Sequence, residues 1–111
     1  MLLAFSVAPS GTPQGAAPDQ SATDASVHDA VAAAVKIVRD SGLPNHTDSM
    51  FTTIEGEWDE VFDVVRRATD AVGKFGSRVS LVIKADIRPG YSGELTAKVE
   101  RLEGALGQMD S

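Results

Sequence analysis

The stretch Asn45-His46-Thr47-Asp48-Ser49-Met50-Phe51-Thr52-Thr53-Ile54-Glu55-Gly56 decides the fold. Thr47, Phe51, Thr52, Thr53 and Ile54 are β-favouring types, and Gly56 ends the run. The segment reads as two short strands or a tight hairpin. A helical pattern lies on each side of it. Upstream, Val27, Ala30, Val31, Ala34, Val35 and Val38 recur at helical spacing. Ser26 fits an N-cap, with Asp29 in a capping-box-like position. Gly42 fits the C′ stop, with Pro44 just beyond, so this helix runs from about Val27 to Ser41. Downstream, Glu57, Asp59 and Glu60 place carboxylates where the positive end of a helix dipole favours them. Val61, Phe62, Val65, Ala68, Val72 and Phe75 extend an apolar face, giving a second helix from about Glu57 to Phe75. Gly73 and Gly76 weaken its last turn.

Outside the helices lie two longer strands. Leu2 to Ala8 puts Leu3, Phe5 and Val7 on one face and Leu2, Ala4, Ser6 and Ala8 on the other. From Arg78 to Asp86, Val79, Leu81, Ile83 and Ala85 alternate with Ser80, Val82, Lys84 and Asp86. Pro89, Gly90 and Gly93 then make a loop, and a last helix from about Glu94 to Leu106 carries a narrow stripe of Leu95, Val99, Leu102 and Leu106. That stripe suits either a subunit contact or the chain's own core. Pro9 to Ala25, with three prolines and two glycines, is a flexible loop: either a lid over a site or a tolerated insertion.

The order is β-α-β-β-α-β with an extra C-terminal helix. It predicts an α+β fold, the ferredoxin-like arrangement of a four-stranded antiparallel sheet with two helices on one face. The first strand then lies between the third and the fourth. The other sheet face, carrying Leu2, Ala4, Phe51 and Val82, needs cover, and a second copy of the chain would supply it.

Composition limits the function. The 111 residues fit a single domain, 1–111, and the 42% hydrophobic and 23% charged content suits a folded one. Ten basic against sixteen acidic residues give a net charge of −6. That disfavours nucleic acid and anionic membranes as partners, because both demand positive charge. The absence of Cys removes disulfides, thiolate catalysis and sulfur-ligated zinc. The apolar start, Met1 to Ala8, has no basic residue before it and is closed by Pro9, which points to a strand rather than a signal peptide. The expected location is cytoplasmic.

No catalytic constellation is present. There is no phosphate-cradling glycine loop, no nucleophile elbow, and no metal-ligand spacing between His28 and His46. Two segments stand out. Met50 to Gly56 carries two hydroxyls and a carboxylate on a short strand, and Ile83-Lys84-Ala85-Asp86-Ile87-Arg88 puts Lys84 and Asp86 on one strand face. With Ser6 on the small face of the first strand, Ser6, Thr52 or Thr53, Glu55, Lys84 and Asp86 could converge. A plain Lys84–Glu55 or Lys84–Asp86 ion pair at a sheet edge or dimer seam is the competing explanation.

At these residues the chain resembles the small thiamine-binding proteins with a ferredoxin-like fold. The family's I-S-V-x-P strand is matched by Phe5-Ser6-Val7-Ala8-Pro9, and its M-G-T-x-I-E-G by Met50-Phe51-Thr52-Thr53-Ile54-Glu55-Gly56. Its E-V-F-x-V-V helix is matched by Glu60 to Val65, its I-K-x-D-x-R strand by Ile83 to Arg88, and its closing helix by Lys98 to Glu103. Phe51 stands where the pattern has Gly, and the loop after Pro9 is longer. The resemblance implies cytoplasmic, non-catalytic binding of thiamine or its pyrimidine precursor, with storage, buffering or sensing as the role. It also implies homo-oligomers, dimers or tetramers built as dimers of dimers.

Ser6, Phe51, Thr52, Thr53, Glu55, Lys84 and Asp86 are the candidate ligand-binding residues. Hydroxyls and a carboxylate can pair with an aminopyrimidine, and a carboxylate or an aromatic face such as Phe51 or Trp58 suits the thiazolium cation. Thr52 and Thr53 point to opposite faces, so the pocket lies either on the open sheet face or between sheet and helices. Lys84 is an awkward partner for a cation and would instead hold Glu55 or Asp86. The alternative function is a regulatory or assembly module that binds another small molecule, or none.

Overall fold

Alternation along the first strand sets the layers. The computed structural model describes residues 1–17 and 24–110. In order, the elements are β1 (Leu2–Ser10), α1 (Asp24–Asp40), β2 (Asn45–Thr47), β3 (Thr52–Glu55), α2 (Trp58–Val72), a 3-10 turn (Gly73–Phe75), β4 (Arg78–Asp86) and α3 (Glu94–Asp110). The strands form one antiparallel sheet in the order β2-β3-β1-β4. This is the expected ferredoxin-like order with its added helix. Leu3, Phe5 and Val7 of β1 and Ile54 of β3 are buried beneath α1 and α2. The helices contribute Ala30, Ala34 and Val38, and Val61, Val64, Val65, Ala68 and Val72. Small residues on α1 let it lie close to the sheet.

Several boundaries differ from expectation. β1 continues through Pro9 to Ser10, because β4 pairs with it along its whole length, from Leu2↔Asp86 to Ser10↔Arg78. The loop after it is hooked down, with the Thr12 N–H on Ser77 Oγ and the Gln14 N–H on the Lys74 carbonyl. The rest of that loop, residues 18–23, lies outside the described residues, and so does the choice between a lid and a tolerated insertion. α1 begins at Asp24, which puts Ser26 inside the first turn rather than at the cap. α1 ends as expected, with Gly42 at φ +79°. α2 starts where Glu60 accepts the Glu57 N–H at 3.0 Å, and it tightens into the 3-10 turn at the glycine.

The edge strand β4 departs from the pattern most. Leu81 and Ile83 lie on the helix-side face, opposite Val7 and Phe5, yet each is 38% exposed. Two helices cover β1 and β3 and only partly cover β4, where Val79 still packs against the core. The alternation correctly marks a strand but does not mark a buried one.

α3 extends the molecule to 60 Å in its longest dimension. Glu55, 8% exposed, accepts the backbone N–H groups of Glu94 at 2.9 Å and Leu95 at 3.3 Å, so a side chain from β3 caps α3. Buried Glu94 pairs with Arg101 at 2.9 Å, and Lys98 pairs with Asp86. Beyond this anchorage, every described residue from Lys98 to Met109 is exposed, and Val99, Leu102 and Leu106 with them.

Two substitutions test these contacts. At Gly76, an added Cβ would lie 2.4 Å from the Ser10 carbonyl oxygen and 2.8 Å from its nitrogen. Gly76→Ala should cost about 1–3 kcal/mol in chemical denaturation, since backbone cannot yield as a side chain does. Glu55→Ala should cost a similar about 1–3 kcal/mol. Its signature should be faster amide exchange at the start of α3, with the α1 and α2 amides still protected.

Candidate functional site

Unequal strand pairing creates a cleft beside β1. β3 pairs with β1 only from Leu2↔Glu55 to Phe5↔Thr52, whereas β4 continues to Ser10. On its β3 side, β1 therefore has no strand partner from Ser6 to Ala8. The β2–β3 hairpin loop and α1 enclose this free edge. The result is a cleft of about 210 Å³, lined by Ser6 and its neighbours on β1, Val31 and Val35 on α1, and Thr47 to Thr52.

The hairpin loop has a definite shape. Asp48 Oδ1 accepts the N–H groups of Met50 at 2.8 Å and Phe51 at 2.9 Å, and the Asp48 N–H donates to the Phe51 carbonyl at 3.0 Å. An aspartate that bonds the backbone two residues on makes its own turn. The N–H of Phe51, and then that of Met50, hold the Asp48 carboxyl below its ordinary value. The carboxylate is exposed, and Oδ2 has no hydrogen-bond partner among the described residues. Beside it, the Thr47 and Thr52 hydroxyls share a hydrogen bond at 3.1 Å.

The candidate residues divide between two places. Ser6, Phe51 and Thr52 line the cleft. Thr53, Glu55, Lys84 and Asp86 lie on the open sheet face, in rows Thr53–Ala4–Lys84 and Glu55–Leu2–Asp86. The expected single cluster is thus only partly formed. Thr52 and Thr53 do face opposite ways, as alternation requires. Neither a Lys84–Glu55 nor a Lys84–Asp86 pair forms. Both carboxylates are engaged by α3 instead, Glu55 with its backbone and Asp86 with Lys98, and Lys84 has no ion-pair partner among the described residues. This contact could not be inferred from strand register, because it depends on where the C-terminal helix docks.

A wider groove of about 700 Å³ opens beneath α3, between Leu2, Asn45, His46 and Thr53 on the sheet and Leu95 and Val99 on the helix. Trp58 lies elsewhere. It stacks on Phe62 with ring centroids 5.3 Å apart, and with Tyr91 it lines a small cleft near Met1, at the other end of β1 from Ser6. Sequence reasoning missed Thr47 and Asp48. The visible signal was an aspartate at the tip of a hairpin, flanked by strand formers.

The described residues contain no group of three or more side chains suited to hold a metal ion, and no helix among them is long and apolar enough to cross a membrane.

Comparison with known proteins agrees with this architecture. Residues 3–103 match the family model described as thiamine-binding protein. The UPF0045 protein Mb1933 of Mycobacterium bovis is 48% identical over 107 residues, covering 96% of this chain and 94% of that one. The UPF0045 protein sll0230 of Synechocystis is 33% identical over 79 residues, covering 70% and 65%. Among solved structures, a DUF77 domain of unknown function from Bacillus cereus superposes with a TM-score of 0.69 at 31% identity, covering 88% and 85%. TM0486 of Thermotoga maritima, named as a candidate thiamine biosynthesis or salvage protein, superposes with a TM-score of 0.70 at 21% identity, covering 91% and 96%. None of these names states a reaction. By the extent of these matches, the chain belongs to the thiamine-binding protein family, which includes the UPF0045 proteins.

Proposed function

We propose that this protein binds thiamine or its pyrimidine precursor without transforming it, in the cleft between the hairpin loop, β1 and α1. One observation carries the reading: this cleft combines an aromatic ring, hydroxyls, an unpaired strand edge and a carboxylate oxygen free of hydrogen bonds among the described residues. The edge of β1 from Ser6 to Ala8 offers neighbouring N–H and C=O groups. An aminopyrimidine needs such a pairing of donor and acceptor. Phe51 supplies a plate for a planar ring, and Asp48 Oδ2 a counter-charge for the thiazolium. The Gly-to-Phe departure then adds to the site. Binding without turnover suits storage, buffering or sensing in the cytoplasm, and family membership supports the ligand class.

The same reading includes self-association as a dimer or tetramer. Val99, Leu102 and Leu106 on α3 are 56%, 57% and 44% exposed, and Val82 on the open sheet face is 53% exposed. A second copy would cover both surfaces.

Calorimetric titration with thiamine tests the ligand. Phe51→Ala should weaken binding about tenfold, and it should do so more than Lys84→Ala. The reverse order would move the site to the open face, and no heat at millimolar thiamine would end the reading. Sedimentation tests the assembly: a mass near a multiple of 11.6 kDa is expected at micromolar concentration, falling towards 11.6 kDa in Leu102→Asp.

A further inference from the structure

The sheet ends in two unlike edges. β2 is three residues long, whereas β4 runs for nine, with no described strand on its outer side. Along such an edge, alternate residues turn their N–H and C=O groups outward, and the row templates pairing with another chain. Folded proteins guard their edges with short strands, bulges, prolines, charges or a covering element. Of these, β4 has only charges towards its ends, at Arg78, Lys84 and Asp86. Its register with β1 is unbroken from Asp86 to Arg78, and it contains no Pro. Its middle is apolar and accessible. Leu81 and Ile83 are each 38% exposed on the helix side, and Val82 is 53% exposed on the open face.

We infer that β4 pairs antiparallel with β4 of a second copy, about a two-fold axis at Val82, and so joins two four-stranded sheets into one. The inference rests on the self-association proposed above and adds a contact separate from α3. The order of residues along β4 carries it. A two-fold axis at right angles to the sheet sets opposite residues on the same face, so the axis can move only from one residue to the next. Val82 is the midpoint of β4. With the axis there, Arg78 lies opposite the partner's Asp86, and Ser80 opposite the partner's Lys84, on the open face. On the helix side, Leu81 lies opposite the partner's Ile83, and Val79 opposite the partner's Ala85. Symmetry makes each of these pairs twice, so the half-exposed Leu81 and Ile83 gain apolar cover at the seam. Moving the axis to Leu81 would set Arg78 opposite the partner's Lys84, and moving it to Ile83 would set Arg78 opposite the partner's Arg88. Unlike charges directly opposite stabilise a strand pair, and like charges destabilise it. Of the three registers, the one at Val82 alone pairs unlike charges. Both partners are available for it. Arg78 has no ion pair among the described residues, and Asp86 meets Lys98 through Oδ2, which leaves Oδ1 free.

The absence of Cys makes the register directly readable, because any introduced thiol is the only one in its chain. Val82→Cys should form a disulfide-linked dimer under mild oxidation, since directly opposite residues lie within disulfide reach. Ser80→Cys and Lys84→Cys, each alone, should cross-link at least about tenfold more slowly, because each then faces its own copy across four residues of strand. An equimolar mixture of these two variants should cross-link readily. Leu81→Lys supplies a readout without oxidant. Circular dichroism should show it folded, since Leu81 lies outside the buried core, and its sedimentation mass should fall below that of the wild type. Combined with Leu102→Asp it should sediment near 11.6 kDa. Equal cross-linking of Val82→Cys and Ser80→Cys would overturn the inference, as would an unchanged mass for folded Leu81→Lys. Either result leaves the α3 contact standing. Cross-linking between Ser80→Cys and Val82→Cys chains in place of the expected pair would overturn the register at Val82. A wild type that is monomeric at micromolar concentration would remove the proposed self-association and this inference with it.

Discussion

The unequal partnership of β1 shapes the rest of the molecule. β1 is nine residues long, and it pairs along all nine with β4 but along only four with β3. Backbone polar groups at a strand edge must find partners or meet solvent. Where β3 stops, the edge of β1 becomes the floor of a cleft, and the hairpin loop and α1 become its walls. Near the end of β1, Ser10 instead meets Gly76 so closely that a side chain there would collide with backbone. The open interval thus begins beyond Phe5, where β3 ends.

The two faces of the sheet serve different purposes. The helix-side face holds a core of Leu, Ile, Val and Ala with Phe5 as its buried aromatic. The other face carries a polar array, and α3 uses that array as its dock: Glu55 caps its N-terminus, and Asp86 takes Lys98. Carboxylates that look available for a ligand when seen on their strands are here part of the framework. An unmade hydrogen bond at a buried helix terminus is costly, so Glu55 is better explained by α3 than by a ligand. The free carboxylate oxygen sits instead on Asp48, in the turn that Asp48 itself shapes.

Much of the fold was legible in local patterns. Valine and alanine spacing marked α1, the carboxylates after Gly56 marked the start of α2, and Gly42 marked the end of α1 at positive φ. These signals are local because capping, turns and alternation act within a few residues. Strand ends were less legible. β1 outran its expected end because β4 reached far enough to pair with Pro9 and Ser10. The site was half legible: Ser6, Phe51 and Thr52 do line one cleft, but the Met50–Gly56 motif that supplies Phe51 and Thr52 also contains Thr53 and Glu55, which face away.

By itself the sequence determined the order of strands and helices, the side of β1 that enters the core, the absence of thiol chemistry and the excess of negative charge. Each follows from residue type and near-neighbour spacing. Tertiary structure alone decided that β3 would stop short of β1's end, that Leu81 and Ile83 of β4 would stay partly exposed beside the helices, and that α3 would take Glu55 and Asp86 for its own anchorage. These outcomes depend on contacts between residues tens of positions apart, such as Glu55 with Glu94 and Gly76 with Ser10. No periodicity encodes such distances. They arise when rigid elements of fixed length are packed together and their unsatisfied polar groups must be paired.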